Sequence, residues 1–379
     1  MQSITTQLWH INSSSSQEGD IQQSASLHEA AVMLREGKLV AFPTETVYGL
    51  GADARSTQAV QGIFEAKGRP SDNPLIVHIG RTSQLDELVL PYSGLASRLM
   101  AAFWPGPLTM VLPMREGSVS PLVTAGLSTV AVRIPDHPVA LQLLELAGCP
   151  VAAPSANLSG RPSPTKAEHV LDDLRGRLHG VVDGGATGVG VESTVIELVD
   201  ERTVRILRPG GVTSEQLAMI AQHVLLDDSH GSEIHPQEVQ QHAAAAGATA
   251  TGAAAEAPRS PGMKYTHYAP QGMMEVVLGS PEQTVLYIRS KAAQAQASGY
   301  KTGILAFNEH AAGYEADLII EAGSLERLEE AAHLLYDALR EFDKQGIQMI
   351  WAEGCEPEGI GMALMNRMLK AAGNRVQLV

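Results

Sequence analysis

One pattern limits the fold of this chain more than any other. Short apolar runs recur along its first half, and each ends in a loop of Pro, Gly, Ser or Thr. The runs are "KLVAFPT", "PLIVHIG", "LTMVLP", "TVAVRIP", "HGVVDG", "STVIELV" and "TVRILRP". An apolar run this short, bounded by breakers, reads as a buried strand. Between the runs, "SLHEAAVMLREGK", "TQAVQGIFEAK" and the segments 137–147 and 165–175 carry helical spacing. Ser26 and Glu29 fit a capping box at the start of the first helix. The alternation predicts one α/β domain over residues 25–212, built on a large, mixed, twisted sheet.

The composition then breaks. From Asp227 to Arg259 the chain is rich in Ala, Gly, Gln and His and nearly free of large apolar residues. That reads as a flexible linker, and its histidines are too irregularly spaced to predict a metal site. With a short helix before it and "SPGMKYTHYAP" after it, this connection spans residues 213–270. Residues 271–379 repeat the α/β pattern on a smaller scale. "EVVLG", "VLYIR", "GILAF" and "ADLIIEAG" read as strands, and "LERLEEAAHLLYDALREFDK" and "GIGMALMNRMLKAAG" as helices. The expectation is a Rossmann-like second domain, without the GxGxxG that would tie it to a dinucleotide.

Bulk properties narrow the function classes. The net charge of -15 argues against holding nucleic acid by overall electrostatics. The two cysteines, Cys149 and Cys355, make no CxxC and no disulfide framework. The N-terminal stretch has no secretory pattern, and no apolar run reaches the roughly 18 residues of a membrane helix. A cytoplasmic protein without membrane contact is expected. P-loop, kinase, HExxH and GxSxG motifs are absent, so any nucleotide is held another way.

The loops carry the chemistry. Thr44 and Thr46 stand where the first strand ends, a common place for ligands in α/β sheets. "KGRPSDNPLIVH" gathers Lys67, Arg69, Asn73 and His78 around two prolines. Cations at a helix end can complement its dipole, but a rigid loop of this kind also suits a polyanion. Arg133 lies in an otherwise apolar strand and needs an anionic partner, either a protein carboxylate or a ligand carboxylate. "VAAPSANLSGRPSPT" offers preset hydroxyl and backbone donors, and "GGATGVGVESTVIEL" and "RILRPGG" add Ser193 and Arg208.

Seven stretches, "PTETVYGLG", "KGRPSDNPL", "WPGPLT", "VRIPDHP", "APSANLSGRPSPT", "ESTVIEL" and "RPGG", stand in the order of the YrdC/Sua5 family. "SPGMKYTHYAP" and the second domain resemble the longer, two-domain Sua5 type. The resemblance implies formation of threonylcarbamoyl-AMP and pyrophosphate from L-threonine, bicarbonate and ATP. The product would serve t6A modification of tRNAs that read ANN codons, through separate transfer machinery. The implied ATP contacts are Lys67, Arg69, Asn73, Thr129, Ser155, Ser163, Arg208 and Tyr268, with Lys67 and Arg69 as the catalytic cations. The implied threonine contacts are Thr46, His78, Arg133 and Ser193. Lys264, Tyr265 and Tyr268 resemble a segment that crosses the active-site mouth as a lid. Mg²⁺ is expected to arrive with ATP, held by phosphate oxygens and water rather than by protein side chains, and no organic cofactor is implied. Any tRNA contact is expected to be weak. An RNA-binding module and a related carbamoyl-adenylate-forming protein are the rival readings. The latter class carries acylphosphatase and zinc-finger segments that this chain lacks.

Overall fold

The computed structural model describes residues 4–11, 17–227 and 268–379. By its contacts the chain divides into two compact units, the second built chiefly from Thr266–Val379.

The first unit is built on one sheet of eleven strands. In chain order these are β1 (Gln7–His10), β2 (Val40–Phe42), β3 (Gly49–Asp53), β4 (Ile76–His78), β5 (Leu108–Pro113), β6 (Thr129–Arg133), β7 (Val151–Ala152), β8 (Gly180–Asp183), β9 (Thr194–Leu198), β10 (Thr203–Arg208) and β11 (His223–Leu226). Their order across the sheet is β1-β8-β2-β3-β7-β4-β6-β5-β9-β10-β11. The pairing is mixed: β4 runs parallel to β6, and β5 antiparallel to it. All seven runs read as strands from the sequence fall in this sheet.

One local expectation is corrected here. The first helix runs Gln17–Arg35, so Ser26 lies inside it and caps nothing. Glu29 is held elsewhere. Its carboxylate accepts from Gln7 Nε2 and Trp9 Nε1 of β1, both at 3.0 Å. The edge strand β1 itself comes from a polar N-terminal stretch. "GLGAD" forms strand β3. A Cβ at Gly51 would sit 2.9 Å from both Phe42 and Val151 side-chain carbons, so only glycine lets the neighbouring strands close here.

The helix Thr57–Lys67 forms as its spacing predicts. Ser56 caps its start by accepting from Ala59 N–H, and Gly68 ends it at φ +62°. Its buried face includes Val60, Ile63 and Phe64. Truncating one such side chain costs about 2–5 kcal/mol.

The second unit holds a sheet of five strands: β12 (Met273–Leu278), β13 (Thr302–Ala306), β14 (Leu318–Glu321), β15 (Met349–Glu353) and β16 (Val376–Leu378). Their order is β14-β13-β15-β12-β16, and every pair is parallel. "VLYIR" is not a strand. It lies in the helix Pro281–Ala297. Ser280 caps that helix by accepting from Gln283 N–H, and Pro281 occupies its first turn. Thr284, Ile288, Ala292 and Ala295 then line its buried face, a helical period that overrides the β-branched local composition. The missing strands come from "MIWAE" and "VQL", which form β15 and β16.

Candidate active site

The candidate site is built on one face of the large sheet. Side chains alternate along a strand, so Thr129, Ala131 and Arg133 of β6 share a face. Register places Ile76 beside Ala131 and His78 beside Arg133. Across the other edge of β6, Val111 stands opposite Ala131, and Thr109 pairs in turn with Val195 of β9. Ile76, Val111, Ala131, Val195 and Leu207 form a small apolar cluster of their own. It gives the face an apolar floor, with Thr129 at one end of β6 and Arg133 about 13 Å away at the other.

Arg133 is buried at 3% exposure. Its Nη1 donates to Thr46 Oγ1 at 2.9 Å and its Nε to Gly106 O at 3.2 Å. Its Nη2 lies 2.5 Å from Glu45 Oε1. Thr44 organises this corner. Its hydroxyl donates to Val47 O at 2.6 Å and accepts from the N–H groups of Thr46 and Val47, folding "PTET" into a tight hydroxyl turn. Gly188 and Val189 N–H groups then clamp the Glu45 carbonyl. His78 stands beside Arg133 with its ring edge-on to Phe42, centroids 5.9 Å apart. Burial, reinforced by the Arg133 charge, pushes the His78 pKa down to about 3. The imidazole is therefore neutral at physiological pH. Burial also lowers the His137 pKa, against an opposing pull from Glu45 and Asp136.

Lys67 ends the helix Thr57–Lys67 and is buried. Its ammonium donates to Ser155 O at 2.5 Å, Asn157 O at 2.7 Å and Asn157 Oδ1 at 3.2 Å. Ser155 Oγ donates to the same Oδ1 at 2.6 Å. Lys67 thus shapes the "APSAN" loop, which also pairs with β3 through Gly49 and Ser155. Arg69 Nη2 reaches Asn73 O at 3.4 Å. The Asn73 side chain is fully buried, yet neither its Oδ1 nor its Nδ2 has a hydrogen-bond partner among the described residues. The same holds for His78 Nδ1, His137 Nδ1 and Thr187 Oγ1. Buried polar atoms are normally satisfied, and leaving one unmade costs about 1–3 kcal/mol. A group of them around Arg133 and the "DNPL" turn marks a surface built to receive a polar ligand.

Ser163 is fully buried and donates to Glu192 Oε1 at 2.7 Å. Next in sequence, Ser193 Oγ lies 2.7 Å from Thr109 Oγ1. Arg208 braces Ser193, with Nη2 at 2.8 Å from its carbonyl and 3.2 Å from its hydroxyl. A bulge sets this up. β10 pairs with β9 as Ile206↔Ile196 and then Arg208↔Val195, so Leu207 is the extra residue. A regular ladder would place Arg208 opposite Thr194, facing away. The bulge turns it to the Val195 side, the face of Thr109 and Arg133.

The expected contacts of the first unit therefore fall on this face or in the segments around it: Thr46, His78, Thr129, Arg133, Ser193 and Arg208 on the face, Lys67 at the helix end, and Arg69, Asn73, Ser155 and Ser163 in loops. Tyr268 belongs to the second unit. It is buried at φ +65°, its ring 5.2 Å from Tyr336 and 5.7 Å from the Arg367 guanidinium. Lys264 and Tyr265 lie outside the described residues, as does the 227–258 insert apart from Asp227. Sequence reasoning missed Glu45, Asn157, His137, Thr187 and Glu192. Glu45 left one signal, a carboxylate between two threonines at the end of a buried strand.

Two family models match the chain. One, for the Sua5, YciO and YrdC proteins and described as telomere recombination, covers residues 32–210. The other, described as the threonylcarbamoyl-AMP synthase C-terminal domain, covers residues 212–373. A threonylcarbamoyl-AMP synthase of Bacillus subtilis (strain 168) is 50% identical over 348 residues, which is 92% of this chain and 93% of that protein. The chain belongs to the Sua5/YrdC family. Another Sua5/YrdC member, a threonylcarbamoyl-AMP synthase of Pyrococcus abyssi, is 45% identical over 347 residues, covering 92% and 94% of the two chains. The crystal structure of P. abyssi Sua5 complexed with L-threonine matches with a TM-score of 0.85 at 42% identity, over 99% of this chain and all of that one. The α/β architecture is thus the two-domain Sua5 one.

Proposed function

We propose that this chain is a threonylcarbamoyl-AMP synthase, a nucleotidyltransferase that joins L-threonine, bicarbonate and ATP. The observation that carries the reading is Arg133, a buried guanidinium fixed by Thr46 and Gly106 beside a neutral His78. Such a guanidinium suits the threonine carboxylate in two-point fashion once Glu45 shares or yields Nη2. Thr46, His78 and Ser193 complete the threonine pocket. Lys67, Arg69, Asn73, Thr129, Ser155, Ser163 and Arg208 serve the nucleotide. The relatives' names and their full-length match support the same assignment.

In the proposed reaction, threonine's ammonium gives one proton to solvent, and the free amine and bicarbonate then give the carbamate and water. A carbamate oxygen then bonds to the α-phosphorus of ATP, and the bond from that phosphorus to pyrophosphate breaks. The carbamate is already anionic, so the nucleophile needs no base. The protein's work is to align the reactants and to hold cationic and N–H donors where negative charge builds up. Mg²⁺ would neutralise triphosphate charge from its place on phosphate oxygens and water. Among the described residues, no group of three or more His, Cys, Asp or Glu side chains offers a metal site. The product would pass to t6A-transfer machinery, and two buried, unpaired cysteines suit the reducing cytoplasm.

The test is product analysis by mass spectrometry with ATP, Mg²⁺, bicarbonate and L-threonine. Threonylcarbamoyl-AMP and pyrophosphate should form only when all substrates are present. ATP turnover that ignores threonine would overturn the assignment.

A further inference from the structure

The second unit has a cavity of its own, with a volume of about 520 Å³, within the usual range for small-molecule sites. It opens at the carboxyl ends of four strands: Leu278 of β12, Phe307 after β13, Glu353 of β15 and Leu378 of β16 all line it. This is where ligands bind in open α/β sheets, provided the strand order reverses there. It does. From β12 the chain crosses to β13 and β14 on one side, and from β15 to β16 on the other.

A polar group sits at the base of the cavity. Glu353 is 3% exposed. Its carboxylate accepts from Phe307 N–H at 2.8 Å, from His310 Nδ1 at 3.2 Å and from the Tyr314 hydroxyl. Burial raises the Tyr314 pKa, so its hydroxyl stays a donor. A carboxylate only accepts, so Nδ1 carries the hydrogen shared with Glu353, and Nε2 is the ring nitrogen left to meet a ligand. His310 lines the cavity and keeps 18% of its side chain exposed. Among the described residues, the side-chain carboxylates of the lining are those of Glu353 and Glu356, and no Lys or Arg joins them. The rest of the wall is mostly apolar, with Leu325, Met365 and Val376 among its members.

We infer that this cavity is a second ligand site, for a small unphosphorylated organic amine. Its ammonium or N–H donor would meet His310 Nε2, with the Glu353 charge behind it, and its apolar body would fill the strand-end cavity. Phosphates and carboxylates would meet uncompensated negative charge there. The site belongs to the second unit, and the inference does not depend on the function proposed for the sheet face that carries Arg133.

The test uses the full chain with its ATP site saturated by ATP, Mg²⁺ and L-threonine. Calorimetric titration with benzylamine should show saturable binding with one site per chain. Benzoate and AMP should show none. His310→Phe, which keeps the packing and removes the acceptor, should weaken benzylamine at least tenfold, and Glu353→Gln should do likewise. Circular dichroism and thermal unfolding confirm that each variant is folded. If Glu353→Gln fails to fold, His310→Phe alone decides. No saturable benzylamine binding would overturn the inference. So would equal binding of benzoate, or unchanged binding in the folded variants.

Discussion

Arg133 Nη2 lies 2.5 Å from Glu45 Oε1, and both side chains are almost wholly withdrawn from solvent. The carboxylate that the strand arginine demands is thus supplied by the protein itself. A substrate carboxylate must share or displace it. The corner is held by the hydroxyl turn at Thr44, so it is preset rather than formed on binding.

Removing Glu45 should therefore expose how costly the arginine is. A buried pair broken on one side is worth about 3–5 kcal/mol. Glu45→Ala should lower the melting temperature of the ligand-free protein markedly. L-threonine should then raise it by more than it raises the wild type, because its carboxylate replaces the lost one. Thermal unfolding with and without L-threonine measures both. An unchanged melting point would show that the pair is not a structural need.

Arg133→Ala should raise KM for L-threonine far more than KM for ATP. One charge-assisted hydrogen bond is worth about 1.5–3 kcal/mol, or roughly 10- to 100-fold. Steady-state kinetics with each substrate varied in turn gives the split. Equal effects on both would undo the carboxylate assignment.

His78 predicts a pH dependence of stability. Its folded pKa of about 3 lies below the value near 6.5 of an unfolded histidine. Above about pH 6.5 the ring is neutral in both states and contributes no slope. Below that, the unfolded chain takes up a proton that the folded chain refuses. Stability should fall by up to about 1.4 kcal/mol per pH unit towards pH 3 from this group alone. His78→Asn should remove that share. Urea unfolding at pH 7 and pH 5 on both proteins checks it, and identical losses would mean the ring is not held neutral.

Lys67→Met should loosen the "APSAN" loop. It leaves Ser155 O and Asn157 O without their ammonium donor, at about 1–3 kcal/mol for each buried acceptor. Amide exchange across 154–158 should speed up, and KM for ATP should rise. If ATP is lost with exchange unchanged, Lys67 acts on the nucleotide alone.

Sequence showed the site's residue types better than its geometry. Strands such as "TVAVRIP" were legible because period and breakers agree, and Arg133 stood out as a cation in an apolar run. The first helix was read as starting at Ser26 because a capping box is a local signal. What decides that region is Glu29 binding Trp9 and Gln7, a pairing some twenty residues distant in the chain. "VLYIR" misled in the same way, since β-branched composition says strand while Ser280 and Pro281 start a helix. Glu45 was passed over because nothing local distinguishes a loop carboxylate from one that enters a buried ion pair.

Arg208 faces its partners because β10 carries one residue more than β9. Its usefulness is a matter of position in a count, not of chemical identity. A regular ladder through the same letters would pair Arg208 with Thr194, keeping every functional residue type and still turning Arg208 to the opposite side of the sheet. Two homologous chains could then agree letter for letter at their motifs and differ in whether the last arginine is addressed to the site. In this protein the spacing itself is a functional residue.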